Sequence, residues 1–242
     1  MNAQGLSRPH SRKGIIFGAS AGVGAALGVR LSQTEDVTFV SRRGIAPEGA
    51  TGRAVGCDVR DYSAVARIIE ATPQHLDYVV SCVGVGYYAP YNRDFSHWWE
   101  EILSTNVTGN VNILSAVMRL RPECRQVIVL GSVGARRPSR TPGNQMYRAS
   151  KAALAVVLDD IRLELRASGS LMKICNLAPG FIEPTDFGRR YYESDPAAKT
   201  DLYGKFRGLS PEEVAGVMEW ILAGAANIDI TEMILRPTAQ PD

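Results

Sequence analysis

Tyr147 and Lys151 stand four residues apart in the run Tyr147-Arg-Ala-Ser-Lys151. On a helix that spacing puts both side chains on one face, so a phenol and an ammonium can address the same point. A free tyrosine loses its proton only near pH ~10, too high for efficient proton exchange at neutral pH. A neighbouring ammonium favours the phenolate and brings the group into range for general acid/base work. Ser132, just past the apolar run Val127–Leu130, offers a hydroxyl that could polarise the same substrate oxygen. A lone Tyr-x-x-x-Lys pair arises often by chance; its company in the chain gives this one weight.

That company begins at Gly18-Ala-Ser20-Ala21-Gly22-Val23-Gly24, between the short apolar run Lys13–Phe17 and a helix-like run, Ala25–Leu31. Glycines let a backbone turn tightly and approach a pyrophosphate, whose charge then meets the helix N-terminus. An ordinary strand-to-helix turn could carry the same residues. The order of strand, turn and helix is nevertheless the one a dinucleotide site needs. A phosphate loop of the Gly-Lys-Ser/Thr kind is excluded, since no such triplet follows. The next apolar run, Val37–Val40, leads into Ser41-Arg42-Arg43 with no acid nearby. An acid there would hold a ribose 2′-hydroxyl, whereas guanidinium groups suit a 2′-phosphate. The turn therefore favours NADP(H) over NAD(H), although a solvated basic turn would read the same way.

Strand-like and helix-like runs alternate from end to end. Leu76–Val83 is apolar on both faces, Val127–Leu130 is a continuous apolar run, and Lys173–Leu177 reads as a further strand. Tyr62–Glu70, Trp98–Leu120, Tyr147–Ala167 and Pro211–Leu222 have helical spacing, the last with Ser210 as N-cap and Pro211 at the first turn. Met233–Leu235 reads as a final short strand. Short strands apolar on both faces, separated by helices, predict an α/β fold: a doubly wound parallel sheet with helices on both faces. Residues 1–12 read as a loose tail, and 13–242 as a single Rossmann-fold domain. The polar, Arg- and Tyr-rich segment 183–208 follows a strand's C-terminal end, where substrate-covering loops sit in such sheets.

A net charge of +2 gives no reason to expect nucleic acid or anionic lipid as a partner. No apolar stretch approaches the roughly 18 residues needed to span a bilayer, and the start of the chain lacks the apolar core of a signal peptide. A soluble cytoplasmic protein is the expectation. The cysteines Cys57, Cys82, Cys124 and Cys175 are scattered, with no Cys-x-x-Cys pair, and the histidines lie far apart. Neither a disulfide framework nor a metal site is expected.

Taken together, these residues resemble the short-chain dehydrogenase/reductase family over roughly Lys13 to Pro237. The spacing of Gly18, Gly22 and Gly24 is similar to the family's glycine motif, and Cys57-Asp58-Val59 to its adenine-contacting Asp-Val. Asn106, in Thr105-Asn-Val-Thr-Gly109, matches the family's helix asparagine, and Pro179-Gly180-Phe181-Ile182 its nicotinamide-positioning motif. The resemblance implies that Tyr147 exchanges a proton with the substrate oxygen and Ser132 polarises that oxygen. It also implies that Lys151 lowers the tyrosine pKa and holds the nicotinamide ribose, while Asn106 kinks its helix and holds a relay water. The nicotinamide itself carries the hydride.

The sequence departs from the pattern in places. Phe17 stands where a threonine usually opens the glycine motif, and Ser81-Cys82-Val83-Gly84 replaces Asn-Asn-Ala-Gly. A cysteine lacks the paired hydrogen bonds of an asparagine amide. Pro184 pushes Thr185 one place beyond the family's nicotinamide-contacting threonine. The tail Glu232–Gln240 resembles that of a subgroup containing 3-hydroxy acid and serine dehydrogenases. The implied activity is that of an NADP(H)-dependent ketoreductase or secondary-alcohol dehydrogenase on a small carbonyl or alcohol. Arg136, Arg137, Arg140, Arg189 and Arg190 are candidates to hold an anionic substrate, or are plain surface charge. A homodimer or homotetramer is expected from the family. Two rivals remain: a sensor of the same fold that binds NADP(H) without turnover, and an epimerase or dehydratase that uses the cofactor transiently.

Overall fold

The computed structural model describes residues 11–72, 75–90, 96–136, 143–183, 185–193 and 206–241. Residues 1–10 of the expected tail, Arg137, Arg140, Pro184 and 194–205 of the covering segment lie outside the described residues.

Seven strands form one sheet: β1 Lys13–Phe17, β2 Asp36–Ser41, β3 Arg53–Gly56, β4 Tyr78–Ser81, β5 Gln126–Leu130, β6 Lys173–Pro179 and β7 Glu232–Leu235. Their order is β3-β2-β1-β4-β5-β6-β7, and every neighbouring pair is parallel. Parallel neighbours need crossovers, and helices supply them. They are α1 Gly22–Leu31, α2 Tyr62–Glu70, α3 Ser96–Leu103, α4 Gly109–Leu120, α5 Gln145–Ala167, α6 Asp186–Tyr191 and α7 Pro211–Leu222.

The alternation of side chains along each strand sorts the core into two layers. Ile15 and Phe17 of β1 join Val65 and Ile69 of α2, Ile113 and Val117 of α4, and Leu154 and Leu158 of α5. Ile16, one residue out of phase, faces the other way onto Leu27 of α1 and Val214 and Met218 of α7. Each such buried Leu or Ile contributes roughly 1.5–3 kcal/mol relative to exposure. The helix starts are fixed locally. The Asp61 carboxylate accepts from Ala64 N at 3.1 Å to open α2. Ser210 and Glu213 form a capping box behind Pro211 at the start of α7.

Two features depart from the expectation. The run Trp98–Leu120 is not one α-helix: a π-helical turn, Ser104–Thr108, separates α3 from α4. The edge strand β3 carries too little apolar signal to announce itself, being four residues long, half exposed and bracketed by Gly52 and Gly56.

The strand order reverses between β1 and β4. In such sheets a crevice opens there, beyond the C-terminal strand ends. A cleft of about 630 Å³ occupies that position.

Candidate active site

The floor of the cleft is the glycine turn. Gly18 and Gly22 have φ of 78° and 57°, which L side chains rarely adopt. A Cβ on Gly18 would lie 2.8 Å from the Cys82 carbonyl carbon, and one on Gly24 would run into the Gly18 carbonyl oxygen. The turn is tied down by Gly18 N and Ala19 N, both donating to the Val40 carbonyl at 2.8 and 3.2 Å. Helix α1 then begins after Ala21 with no side-chain cap, so its first amides face the cleft without a local oxygen.

At the end of β2, Arg43 reaches across to the turn: its Nη2 donates to the Ser20 carbonyl at 2.8 Å and its Nε to Ser20 Oγ at 3.3 Å. Arg42 lies 3.8 Å from the Glu101 carboxylate. Ser41 Oγ accepts from Gly44 N at 3.1 Å. Cys57, Asp58 and Val59 line the same end of the cleft. The Asp58 carboxylate accepts from Arg60 Nε at 3.0 Å, which holds its pKa below the usual carboxylate range.

The other end gathers the residues suited to proton chemistry. Ser132, Tyr147 and Lys151 all line the cleft. Lys151 is 4% exposed, its Nζ donates to the Leu130 carbonyl at 2.7 Å, and it lies 6.0 Å from the centre of the Tyr147 ring. Burial disfavours its charged form and pulls its pKa down to about 8. Ser132 ends extended and its Oγ accepts from Gly134 N at 3.1 Å, opening a short turn. Cys82 and Gly84 close the wall beside Lys151, and burial pushes the Cys82 thiol up to about 12, so it stays protonated.

Asn106 sits in the π-helical turn and is fully buried. Its amide pairs with the Val85 backbone in both directions, at 2.8 Å each. Its Nδ2 also donates to Ser150 Oγ at 2.9 Å, and that hydroxyl donates to the Tyr147 carbonyl at 2.7 Å. Asn106 thus ties the end of β4 to the first turn of α5, where Tyr147 stands.

The third side is the Pro179-Gly180-Phe181-Ile182 strand end. Gly180 N donates to the Leu235 carbonyl at 2.6 Å, and Phe181 N to the Gln240 side chain at 3.0 Å. Thr185 lines the cleft and caps α6, its Oγ1 accepting from Gly188 N at 2.9 Å. Val23 and Val83 complete the lining at the turn and beyond β4.

Among the candidate anion-binding arginines, the geometry separates the set. Arg136 is outside the cleft lining and pairs with Glu232 at 3.1 Å, since that β7 carboxylate is its nearest counter-charge. Arg189 points into solvent and pairs with Asp186 one turn earlier. Arg190 does line the cleft.

Some contributors carried no motif. Asn110 is fully buried, donates to the Asn106 carbonyl at 2.8 Å and accepts from Ser81 Oγ at 2.6 Å. It supplies from α4 an amide that the Ser81-Cys82 pair lacks. Its signal was available: a polar residue on the 110, 113, 114, 117 face, otherwise apolar. Phe187 and Tyr191 were signalled only as part of the covering segment 183–208, and Gln240 only as the end of the tail Glu232–Gln240.

The family model described as "short chain dehydrogenase" matches residues 13–195. The chain belongs to that family. As a short chain dehydrogenase it is an oxidoreductase working between alcohol and carbonyl groups. It is 30% identical over 224 residues to the 3-oxoacyl-(acyl-carrier-protein) reductase MabA of Mycobacterium tuberculosis, covering 90% of this chain and 87% of that one. Among solved structures, a closed serine dehydrogenase complexed with NADP+ superposes with a TM-score of 0.85 at 22% identity, over 95% of this chain and 96% of that one. An alcohol dehydrogenase of the archaeon Thermococcus sibiricus, complexed with 5-hydroxy-NADP, does so at 0.79 and 20%, over 96% and 99%. These two likenesses concern the fold. No described helix is long and apolar enough to cross a membrane.

Proposed function

We propose that this short chain dehydrogenase interconverts a carbonyl compound and its secondary alcohol with NADP(H), using Tyr147 as acid/base. The observation that carries the reading is Lys151. A lysine 4% exposed, inside a cleft and beside a tyrosine ring, is costly to keep unless its charge is used there.

The residues fit a phosphorylated dinucleotide. The glycine turn packs backbone against backbone at the cleft floor, the uncapped start of α1 favours negative charge, and Arg42 and Arg43 line the cleft beyond β2 with guanidinium groups suited to a 2′-phosphate. Both NADP-complexed proteins named above share the fold, which supports the same choice. A bound nicotinamide supplies or accepts the hydride.

The protein's own groups handle position and protons. Ser132 Oγ donates to the substrate oxygen and orients it. Tyr147 Oη gives that oxygen its proton in reduction and takes it back in oxidation. Lys151 Nζ stabilises the phenolate left behind and holds the ribose. Asn106 fixes the helix start that carries Tyr147, and its turn forms the route by which the proton is replaced. We read 13–242 as one domain and the assembly as a homodimer or homotetramer. Val156 and Leu163, 57% and 70% exposed on α5, support the latter.

The test is NADPH oxidation against a panel of ketones, aldehydes and 3-oxo acids, with Tyr147→Phe beside the wild type. Turnover lost in the variant, with NADPH binding retained, is the expected result. Tight NADPH binding with no net oxidation of the cofactor in any reaction overturns it in favour of a sensor, or of an epimerase or dehydratase.

A further inference from the structure

Resting on that reading, we propose that the substrate carries a flat apolar group, an aryl ring, next to its reacting carbonyl. An apolar ring stands partly exposed in the cleft. Phe187, on α6, lines the cleft and is 37% exposed, with its centroid 5.5 Å from Tyr147 and 5.7 Å from Tyr191. A phenylalanine so placed covers more apolar area when another flat group lies against it.

The ring is held there by what surrounds it. Tyr191 meets Tyr147 edge-on at 5.8 Å and is backed by Tyr192 at 4.8 Å. Tyr192 in turn lies 5.8 Å from Tyr88, whose backbone N donates to the Tyr191 carbonyl at 2.8 Å. Gly86 is what lets the wall close up. A Cβ there would come within 2.8–2.9 Å of Tyr191, Phe187 and Tyr147 together. The three rings converge because that position has no side chain. Across the cleft, Phe181 and Phe206 add a second aromatic pair at 6.0 Å.

Part of the charge on this side of the cleft is meanwhile engaged within the protein, and Arg190 also lines it. Arg148 Nε donates to the Gly134 carbonyl at 3.0 Å, and Asp186 pairs with Arg189. A rigid aromatic wall beside the acid/base residue selects an aryl ketone or aldehyde over a small 3-oxo acid. Edge-to-face and offset stacking against Phe187 would place the carbonyl oxygen toward Ser132 and Tyr147.

The experiment measures NADPH-dependent kcat/KM for an aryl methyl ketone, for acetone and for a small 3-oxo acid. It uses wild type, Phe187→Ala and Phe187→Tyr, with melting curves on each variant. The expected wild-type preference for the aryl ketone is at least about tenfold over both others, the scale of one well-filled apolar subsite. Phe187→Ala lowers the ratio of aryl ketone to acetone about tenfold or more, and Phe187→Tyr restores most of it, at unchanged melting temperature. A small 3-oxo acid turned over as well as the aryl ketone, or a Phe187→Ala loss equal for all substrates, overturns the proposal and leaves the oxidoreductase reading standing. No Tyr147-dependent NADPH oxidation with any carbonyl overturns both.

Discussion

Replacing Lys151 with methionine is expected to stabilise the protein at neutral pH while abolishing turnover. The size follows from burial. Lys151 has its pKa pulled from 10.5 to about 8 by desolvation. At 1.36 kcal/mol per unit, the charged side chain costs the folded state about 3 kcal/mol at neutral pH. Methionine has nearly the same shape without the charge, but it strands the Leu130 carbonyl that Lys151 Nζ reaches at 2.7 Å. An acceptor losing its partner costs about 1–2 kcal/mol. The variant is therefore expected to gain about 1–2 kcal/mol, or roughly 3–6 °C in Tm for a chain of this size. The sign with pH is fixed by the direction of the shift. A lysine whose folded pKa is depressed destabilises fully below that pKa. The penalty fades as pH rises from about 8 to 10.5, because the folded state then loses its proton before the unfolded one. By about pH 10 most of the advantage of the variant is gone and the stranded carbonyl remains, so the difference shrinks to nothing or reverses. Denaturant melts of both proteins without cofactor, at several pH values from neutral upward, measure it. A variant less stable at neutral pH, or a stability difference that ignores pH, would refute the reasoning.

Arg43→Ala is expected to weaken NADPH binding by roughly 10- to 100-fold and to leave NADH binding nearly unchanged, the scale of a charged hydrogen bond. Equilibrium titration with both nucleotides reads this directly, and an equal loss for the two contradicts the assignment of the β2 turn. Gly24→Ala drives a Cβ into the Gly18 carbonyl, so cofactor affinity should fall at least about tenfold while the core stays folded; circular dichroism alongside fluorescence titration separates the two effects. Asn110→Val strands Ser81 Oγ and the Asn106 carbonyl and should cost about 2–4 kcal/mol, with Ser81→Ala in the same chain recovering part of it. Additive losses in that double-mutant cycle would break the proposed link.

Much of the fold was legible because buried parallel strands read as largely apolar runs, as in Tyr78–Val80 of β4 and Val127–Leu130 of β5, with Asn176 the polar residue inside β6. Ser210 as N-cap and Pro211 behind it announced α7, since capping chemistry is local, and the structure adds Glu213 to complete the box. The break between α3 and α4 does not show in the spacing, since Ser-Thr-Asn-Val-Thr reads as helix; only the resemblance implied a kink at Asn106, and the tertiary hydrogen bonds of Asn106 with Val85 and of Asn110 with Ser81 single out the turn. Tyr147, Lys151, Ser132 and the glycine turn stood out because they occur together and in order along the chain, where each alone would be a weak signal. The arginines did not sort themselves, because charge in a sequence carries no direction. Arg136 turned to Glu232, a carboxylate 96 residues away that no local pattern reveals. The aromatic wall was hidden likewise, since Gly86 and Phe187 meet only across the fold.

The turn at Ser104–Thr108 also acts as a phase shifter. An α-helix advances about 100° per residue, and a π-type turn accommodates one residue more than an α turn. Everything after Thr108 is therefore rotated by one residue's worth relative to an uninterrupted helix. That offset aims Asn110, Ile113, Leu114 and Val117 inward along one face of α4. In alignment terms the segment behaves as a single inserted residue. Deleting one residue from it would turn the whole of α4 by about 100° and swing Asn110 away from Ser81. The same deletion among the exposed residues around Glu48 and Gly49 would be absorbed where it occurred. Tolerance to length change here is thus set by helical phase, and the five residues between α3 and α4 hold the register of α4 against the core.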